Sequence, residues 1–116
     1  CASALGEKII PPYTSESKLA GLRYTIKMLK GYGITAIQDA IVRESDLNTY
    51  AILEKNKELS LRVTAAQWWE RDQTLEQLNH FKRLRKEFNS RLVNPGTIKV
   101  MQDGRVGSYT AVLVDT

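Results

Sequence analysis

The feature that most constrains the fold is an alternation between two kinds of apolar pattern. Short runs rich in β-branched residues alternate three times with longer segments whose apolar residues recur every three or four positions. The short runs have the length and composition of buried strands, and the longer segments have the periodicity of amphipathic helices. Strands that alternate with helices usually pair in parallel. The sequence therefore predicts an α/β chain of parallel (β/α) repeats, with about three strands and three helices.

Capping and helix-breaking residues bound the first helix. Thr14 or Ser15 can cap a helix over residues 15–30, and Gly31 and Gly33 supply the stop signal. The apolar stripe of this helix is predicted to contain Leu19, Leu22, Ile26 and Leu29.

Two further helices have weaker boundaries. The second is predicted to begin at a cap provided by Ser45 or Asp46. The third is predicted to begin with a reciprocal cap between Thr74 and Gln77, and to end at the break formed by residues 94–96. Its inner stripe is predicted to contain Leu75, Leu78, Phe81, Leu84 or Arg85, Phe88 and Leu92.

The strands are predicted at residues 34–39, 61–67 and 97–101. An eight-stranded (β/α) barrel, the TIM barrel, needs about 250 residues. Residues 1–116 read as a single segment without an internal boundary, and they can supply less than half of such a barrel. The same pattern is also compatible with a small open sheet. In both cases a sheet edge is bare unless another segment or a partner covers it.

Charge and cysteine content narrow the functional classes. The net charge of +4 is spread along the chain, and the densest basic stretch, residues 82–86, has helical spacing among apolar residues. This favours a solvated helix face over a nucleic-acid interface.

No apolar run approaches the roughly 20 residues that cross a bilayer, so no membrane partner is expected. Cys1 is the single cysteine, which excludes an internal disulfide and favours a reducing, cytoplasmic location.

Lys99 is the most informative position, because it places a charge inside an apolar run. Strand alternation puts Lys99 and Met101 on one face, and Ile98 and Val100 on the other. In a barrel the face with Lys99 is the interior, near the carboxyl end of the strand where active sites gather. A buried lysine amine is available for covalent chemistry. The alternative is an edge-strand lysine that discourages aggregation.

Other polar residues near the strand ends are ambiguous. Asp103, followed by Gly104, is either a carboxylate at the catalytic rim or part of a turn, and Asp39 has the same two interpretations. Arg62 either points inward to bind an anion or pair with one of these carboxylates, or extends into solvent from the start of its strand. His80 is the only histidine, and we expect it on the solvent-facing surface of the third helix.

Residues after the second strand argue against a nucleotide site. No glycine-rich phosphate loop follows any predicted strand, since Gln67 is followed by Trp68 and Trp69. The two tryptophans either line a pocket or, as is more common, pack against the following helix.

Several segments, in order, resemble landmarks of the amidohydrolase 3 (YtcJ-like) branch of the metal-dependent amidohydrolases. They are residues 33–40, 61–63, 98–104 and 109–113. The most specific are the lysine strand with its Asp-Gly pair, in residues 98–104, and the Thr-Ala pair in residues 109–113. The resemblance implies a TIM barrel beside a small β-sandwich. It also implies hydrolysis of carbon–nitrogen bonds in amides, cyclic amides or formamides at a divalent metal centre.

The resemblance assigns roles to two residues. Lys99 matches the carboxylated lysine that bridges two metals, for which zinc is expected, because a carbamate supplies two oxygens and a negative charge. Asp103 is expected to be a contact at the rim. The His-x-His motif and the further histidines of the family have no counterpart in this sequence. We therefore expect this chain alone to bind no metal and to have no activity. A small-molecule amide substrate is expected to bind only to the intact enzyme. The alternative is a non-catalytic α/β module that forms homo-oligomers through an open sheet edge.

Overall fold

The computed structural model describes residues 10–104 and 106–113. Helices and strands alternate along these residues: α1 (Ser15–Gly31), β1 (Ala36–Val42), α2 (Glu44–Lys55), β2 (Arg62–Trp68), α3 (Gln77–Phe88) and β3 (Val93–Lys99), followed by a short 3-10 turn (Val106–Ser108). The strands form one sheet in the order β1-β2-β3, and both pairings are parallel. The predicted α/β class with parallel (β/α) repeats is confirmed.

Helix α1 has the boundaries that its local sequence predicts. The side chain of Thr14 accepts a hydrogen bond of 3.1 Å from the backbone N–H of Ser17, which caps the helix. Gly33, at φ 74°, ends it in the left-handed region that glycine tolerates best. The backbone N–H of Ile34 then returns to the carbonyl of Leu29 at 3.0 Å, so the chain leaves the helix in a fixed direction toward β1.

The hydrophobic core lies between the helices and one face of the sheet. Leu47 and Leu53 of α2 are fully buried against Val63 and Ala65 of β2. The predicted stripe of α1 is confirmed, since Ile26 is buried in this core and its neighbouring leucines pack against it: Leu19, Leu22 and Leu29. All three helices therefore cover the same face of the sheet.

Strand β3 begins earlier than predicted. The expected start at residue 97 is wrong, because β3 spans Val93–Lys99 and contains the Pro95-Gly96 pair that was expected only to end the preceding helix. Thr64 lies opposite Asn94, whereas Ala66 lies opposite Thr97, so β3 carries one extra residue at this point. A proline is tolerated here because such a bulge removes local ladder hydrogen bonds, and because β3 pairs on one side only among the described strands.

The starts of α2 and α3 also differ from prediction. Helix α2 begins at Glu44, and the carboxylate of Asp46 accepts a hydrogen bond of 2.9 Å from the backbone N–H of Arg43. Asp46 therefore caps the helix from within its first turn. Helix α3 begins at Gln77 rather than near residue 74, so Leu75 lies outside it and is 71% exposed instead of joining the core.

Candidate functional site

The face of the sheet opposite the helices is open in the described part of the chain. Strand pairing aligns Gln38, Thr64 and Asn94 in one polar row across the three strands. Nearer the carboxyl end, Trp68 lies opposite Lys99. In a parallel (β/α) barrel, the face without helices is the interior.

Lys99 lies at the carboxyl end of this open face. The extra residue in β3 reverses the alternation of side chains between the two faces of the sheet. Lys99 therefore lies on the same face as Trp68, whereas the buried side chain of Val93 lies on the other face. Its side chain is half-buried, and it forms no ion pair or side-chain hydrogen bond with residues 10–104 or 106–113. The backbone is held in place, since the N–H of Trp69 donates to the carbonyl of Lys99 at 3.0 Å.

Asp103 holds a loop together. One oxygen of its exposed carboxylate accepts a 3.0 Å hydrogen bond from the backbone N–H of Val112, and the N–H of Gly104 donates to the carbonyl of Thr110 at 2.9 Å. A Cβ atom at Gly104 would lie 1.8 Å from Oγ1 of Thr110, so this close approach requires glycine. The structure thus gives Asp103 the turn role that the sequence allowed, and the rim contact stays a prediction.

Asp39 lies on the helix-covered face, away from Lys99. It pairs in register with Ala65, a core residue, and its Oδ2 accepts a 3.0 Å hydrogen bond from the hydroxyl of Tyr50. Burial raises the pKa of Tyr50, and the negative charges of Asp39 and Asp46 add to this effect. The phenol therefore stays protonated at neutral pH and acts as a donor to Asp39. The sheet does not bring Asp39 and Lys99 into one site.

Arg62 does not make the ion pair that was considered for it. It is the exposed first residue of β2 and lies opposite Ala36, at the amino end of the sheet. None of the ion pairs formed within the described ranges involves Arg62, so pairing with Asp39 or Asp103 is wrong. Its side chain is exposed, and the anion-binding interpretation stays a prediction.

A cavity of about 320 Å³, here called the crossover pocket, lies where β1 and β2 end and α2 and α3 begin. Its lining combines charged, polar and apolar side chains: Val42, Arg43, Glu44, Ser45, Gln67, Trp68, Glu70, Gln73, Gln77, His80, Phe81 and Leu84. This pocket lies on the helix-covered side of the carboxyl edge of the sheet.

Gln67, which lines the crossover pocket, holds a buried acceptor without a partner. Its side-chain Nε2 donates to the carbonyls of Pro95 at 2.7 Å and Phe81 at 3.3 Å. These two bonds fix the orientation of the amide, and Oε1 is left buried without a partner in a residue that is only 2% exposed. An unmet buried acceptor costs about 1–3 kcal/mol, so this atom needs a donor. In the sequence, Gln67 is recognisable only as the end of a predicted strand.

Gln77 fixes one wall of the crossover pocket. Its Oε1 accepts from the N–H of Glu70 at 3.1 Å, and its Nε2 lies 3.2 Å from each of three carbonyls, those of Glu70, Gln73 and Thr74. The predicted reciprocal cap is wrong, because Oε1 of Gln77 accepts from the N–H of Glu70 instead of Thr74, and Oγ1 of Thr74 accepts from the N–H of Glu76 instead of Gln77.

Two carboxylates and two guanidiniums meet around the same pocket. Arg83 donates to Glu44 Oε2 at 2.8 Å, and this hydrogen bond holds the pKa of Glu44 below its usual range. His80 Nε2 lies 3.9 Å from the same oxygen, on the exposed helix surface where the sequence placed it. Arg43 lies 3.7 Å from Oε1 of Glu70.

The described residues do not form a metal centre by themselves. Within residues 10–104 and 106–113, no three His, Cys, Asp or Glu side chains come together as a group that could hold a metal ion. Lys99 therefore has no accompanying metal ligands in this part of the chain.

Trp69 adopts the packing role considered for the paired tryptophans. Its ring lies 5.8 Å from that of Phe81 on α3, at an interplanar angle of 46°. Trp68 instead borders both the open face and the crossover pocket.

No family model matches this sequence, and no match was found among curated proteins or among solved structures. The assignment of the α/β architecture therefore rests on the structure alone. Among the described helices, none combines the length and the apolar character needed to span a membrane.

Proposed function

We propose that this chain is part of a (β/α)-barrel hydrolase of the metal-dependent amidohydrolase type, to which it contributes Lys99. The observation that supports this proposal is the position of Lys99. It is the last residue of a parallel strand, lies beside Trp68, and shares the sheet face that no described helix covers. Catalytic residues of such barrels come from the carboxyl ends of the strands, on the inner side.

The proposed reaction is hydrolysis of a carbon–nitrogen bond in a small amide, cyclic amide or formamide. Carboxylated Lys99 would be one ligand of a divalent metal, zinc being expected, and the metal would activate water. The other ligands would come from outside the residues described here, because these contain no suitable cluster. Residues 1–116 alone are therefore expected to be inactive, and the proposed setting of the complete enzyme is cytoplasmic.

The test uses the complete polypeptide that the gene encodes. Metal content and hydrolysis of a panel of formamides and cyclic amides are measured with zinc and bicarbonate present. Lys99→Ala should lower kcat/KM at least about 100-fold and reduce bound metal. Lys86→Ala, an exposed change on α3, should leave both unchanged. Equal activity of the Lys99→Ala and parent proteins would refute the role of Lys99, and turnover by residues 1–116 alone would refute their inactivity.

The open sheet edges support a second candidate, a non-catalytic module that self-associates. Among the described strands, β1 and β3 each pair only with β2, which leaves backbone groups at both edges for a second copy. Sedimentation velocity should then show a monodisperse dimer of residues 1–116. Ile41→Lys on β1 should dissociate this dimer, whereas Ile52→Lys, at a similarly exposed position on α2, should not. A monomer, or aggregation without a defined dimer, argues against the module.

A further inference from the structure

We propose that the C-terminal half of α3 and the start of β3 form a binding site for a diphosphate group. The site is a cavity of about 490 Å³, here called the basic pocket, which is lined by Lys82, Arg85, Lys86, Asn89 and Asn94. The sequence alone favours a solvated helix face for residues 82–86, and the structure adds the contribution of β3 to the same cavity. A diphosphate site goes beyond amide hydrolysis, because it concerns another ligand at another end of the sheet.

The first argument is the uncompensated charge of the basic pocket. Its lining contains three cationic side chains and no carboxylate. None of the three forms an ion pair with another residue in the described ranges, whereas Arg83 of the same helix pairs with both Glu44 and Glu87. The C-terminal end of α3 contributes only about half a negative charge, so an excess of about two and a half positive charges remains. This excess favours an anionic ligand.

The second argument is that α3 cannot neutralise these cations by itself. Side chains three and four positions apart are neighbours on a helix. None of the positions at this spacing from Lys82, Arg85 or Lys86 holds Asp or Glu. Lys82 instead has Arg85 and Lys86 as neighbours, and like charges at this spacing destabilise a helix. A bound anion would relieve this repulsion.

The third argument is the orientation of Asn94 at the edge of the sheet. Its Oδ1 accepts a 3.0 Å hydrogen bond from the backbone N–H of Gly96, so its Nδ2 is left to donate to a ligand. The side chain of Arg85 reaches the same place, because its Nε lies 3.9 Å from the position that a Cβ atom would take at Gly96. Helix and strand therefore present hydrogen-bond donors to one cavity, which suits a ligand made of acceptors, such as phosphate.

Charge matching favours a diphosphate over a single phosphate group. A phosphate monoester carries about 1.5 to 2 negative charges at neutral pH, which is less than the three cations of the lining supply. The guanidinium of Arg85 can bind two oxygens of one phosphate group, while Lys82 and Lys86 act as point charges for the other. The diphosphate can be a free anion or part of a nucleotide, and the choice of probes separates these two sources.

The test measures binding to the complete polypeptide by calorimetry without added divalent metal. We expect inorganic diphosphate to bind with a dissociation constant of about 0.1 mM at low salt, and inorganic phosphate to bind at least about tenfold more weakly. Added salt should weaken the binding by screening. Equal affinities of ADP and diphosphate would identify a nucleotide as the source of the group, and much weaker binding of ADP would identify the free anion. AMP that binds as tightly as ADP would overturn the proposal, because the diphosphate would then not be recognised.

Three variants that change the net charge equally locate the site. Lys82→Gln should weaken diphosphate binding about tenfold, because a charge-assisted hydrogen bond is lost. Asn94→Asp should weaken it at least about tenfold, because an acceptor replaces the Nδ2 donor while Oδ1 still accepts from Gly96. Lys27→Gln is the matched control, since Lys27 is exposed on α1 and does not line the basic pocket, and it should leave affinity unchanged. Thermal unfolding checks that each variant is folded.

Three further results would overturn the proposal: no binding of diphosphate up to about 10 mM, equal effects of Lys82→Gln and Lys27→Gln, or displacement of diphosphate by a single-stranded oligonucleotide at a lower concentration of phosphate groups. The last result would assign the surface to a nucleic acid.

The basic pocket is separate from the position proposed for hydrolysis. Asn94 and Lys99 lie near opposite ends of β3, roughly 16 Å apart along the strand. Lys99→Ala should therefore leave diphosphate binding unchanged, and changes at Lys86 or elsewhere in the basic pocket should leave amide hydrolysis unaltered. Failure of diphosphate binding is thus distinguishable from failure of the proposed hydrolase function.

Discussion

The hydroxyl of Tyr50 on α2 donates a 3.0 Å hydrogen bond to Oδ2 of Asp39 on β1. Tyr50 is only 4% exposed, so the bond lies at the margin of the core and connects the first crossover helix to the edge strand. The backbone N–H of Ile41 lies 3.4 Å from the other oxygen, Oδ1, of the same carboxylate. Asp39 thus stabilises the end of β1 rather than belonging to the face that carries Lys99.

Removal of this hydroxyl should weaken the fold. Tyr50→Phe keeps the ring and removes one hydrogen bond to a charged acceptor, and we expect the free energy of unfolding at pH 7 to fall by about 1–2 kcal/mol. Urea denaturation followed by circular dichroism measures the change. Tyr24→Phe is the control, because Tyr24 is 71% exposed on α1 and should change stability little. Equal stabilities of the two variants would contradict the importance of the bond.

The same residue predicts an alkaline loss of stability. Unfolded Tyr50 loses its proton near pH 10, at the ordinary tyrosine pKa of about 10. Folded Tyr50 retains it to higher pH, because burial and the nearby carboxylates raise its pKa. The native state then binds more protons than the unfolded state, so the free energy of unfolding falls as the pH rises above about 10.

Comparison with Tyr50→Phe isolates this contribution from other groups that titrate in alkali. The stability difference between the parent and the variant should be constant at lower pH and should shrink above about pH 10. Urea titrations between about pH 7 and pH 11 measure it. A difference that does not change across this range would show that Tyr50 titrates alike in both states.

Local sequence predicts α1 well and β3 poorly, for physical reasons. Both ends of α1 depend on neighbouring residues, the cap at Thr14 and the left-handed Gly33. The start of β3 depends instead on pairing with β2, where Val93 lies opposite Val63. Pro95 normally signals a break, and the bulge and the edge position of this strand make it compatible with the sheet.

The candidate site likewise contains one feature that local sequence reveals and one that depends on residues distant in the chain. The charge of Lys99 within an apolar run is visible in the sequence, where it is compatible with either a barrel interior or an edge strand. The free acceptor of Gln67 is not visible, since its amide partners lie 14 and 28 residues away in the chain. A glutamine at the end of an apolar strand was the only local signal.

Gly104 is predicted to be essential for the loop that Asp103 closes. An added Cβ at Gly104 would collide with Thr110, so Gly104→Ala should break the hydrogen bond between Asp103 and the N–H of Val112. Hydrogen exchange of the Val112 amide should accelerate about tenfold, with little change in global stability. Gly107→Ala, where a Cβ meets nothing within 4 Å, should leave exchange unchanged. Unchanged protection in Gly104→Ala would refute this account of the loop.

The amide of Gln77 is predicted to determine the order of the loop before α3. Gln77→Ala removes its hydrogen bonds to the backbone of Glu70, Gln73 and Thr74, and should lower the free energy of unfolding by about 2 kcal/mol. Hydrogen exchange of the Glu70 backbone amide should accelerate in the same variant. Gln73→Ala is the matched control, because Gln73 is exposed and only its backbone groups form hydrogen bonds in this loop. If Gln73→Ala were equally destabilising, the loop would be held by contacts other than the Gln77 amide.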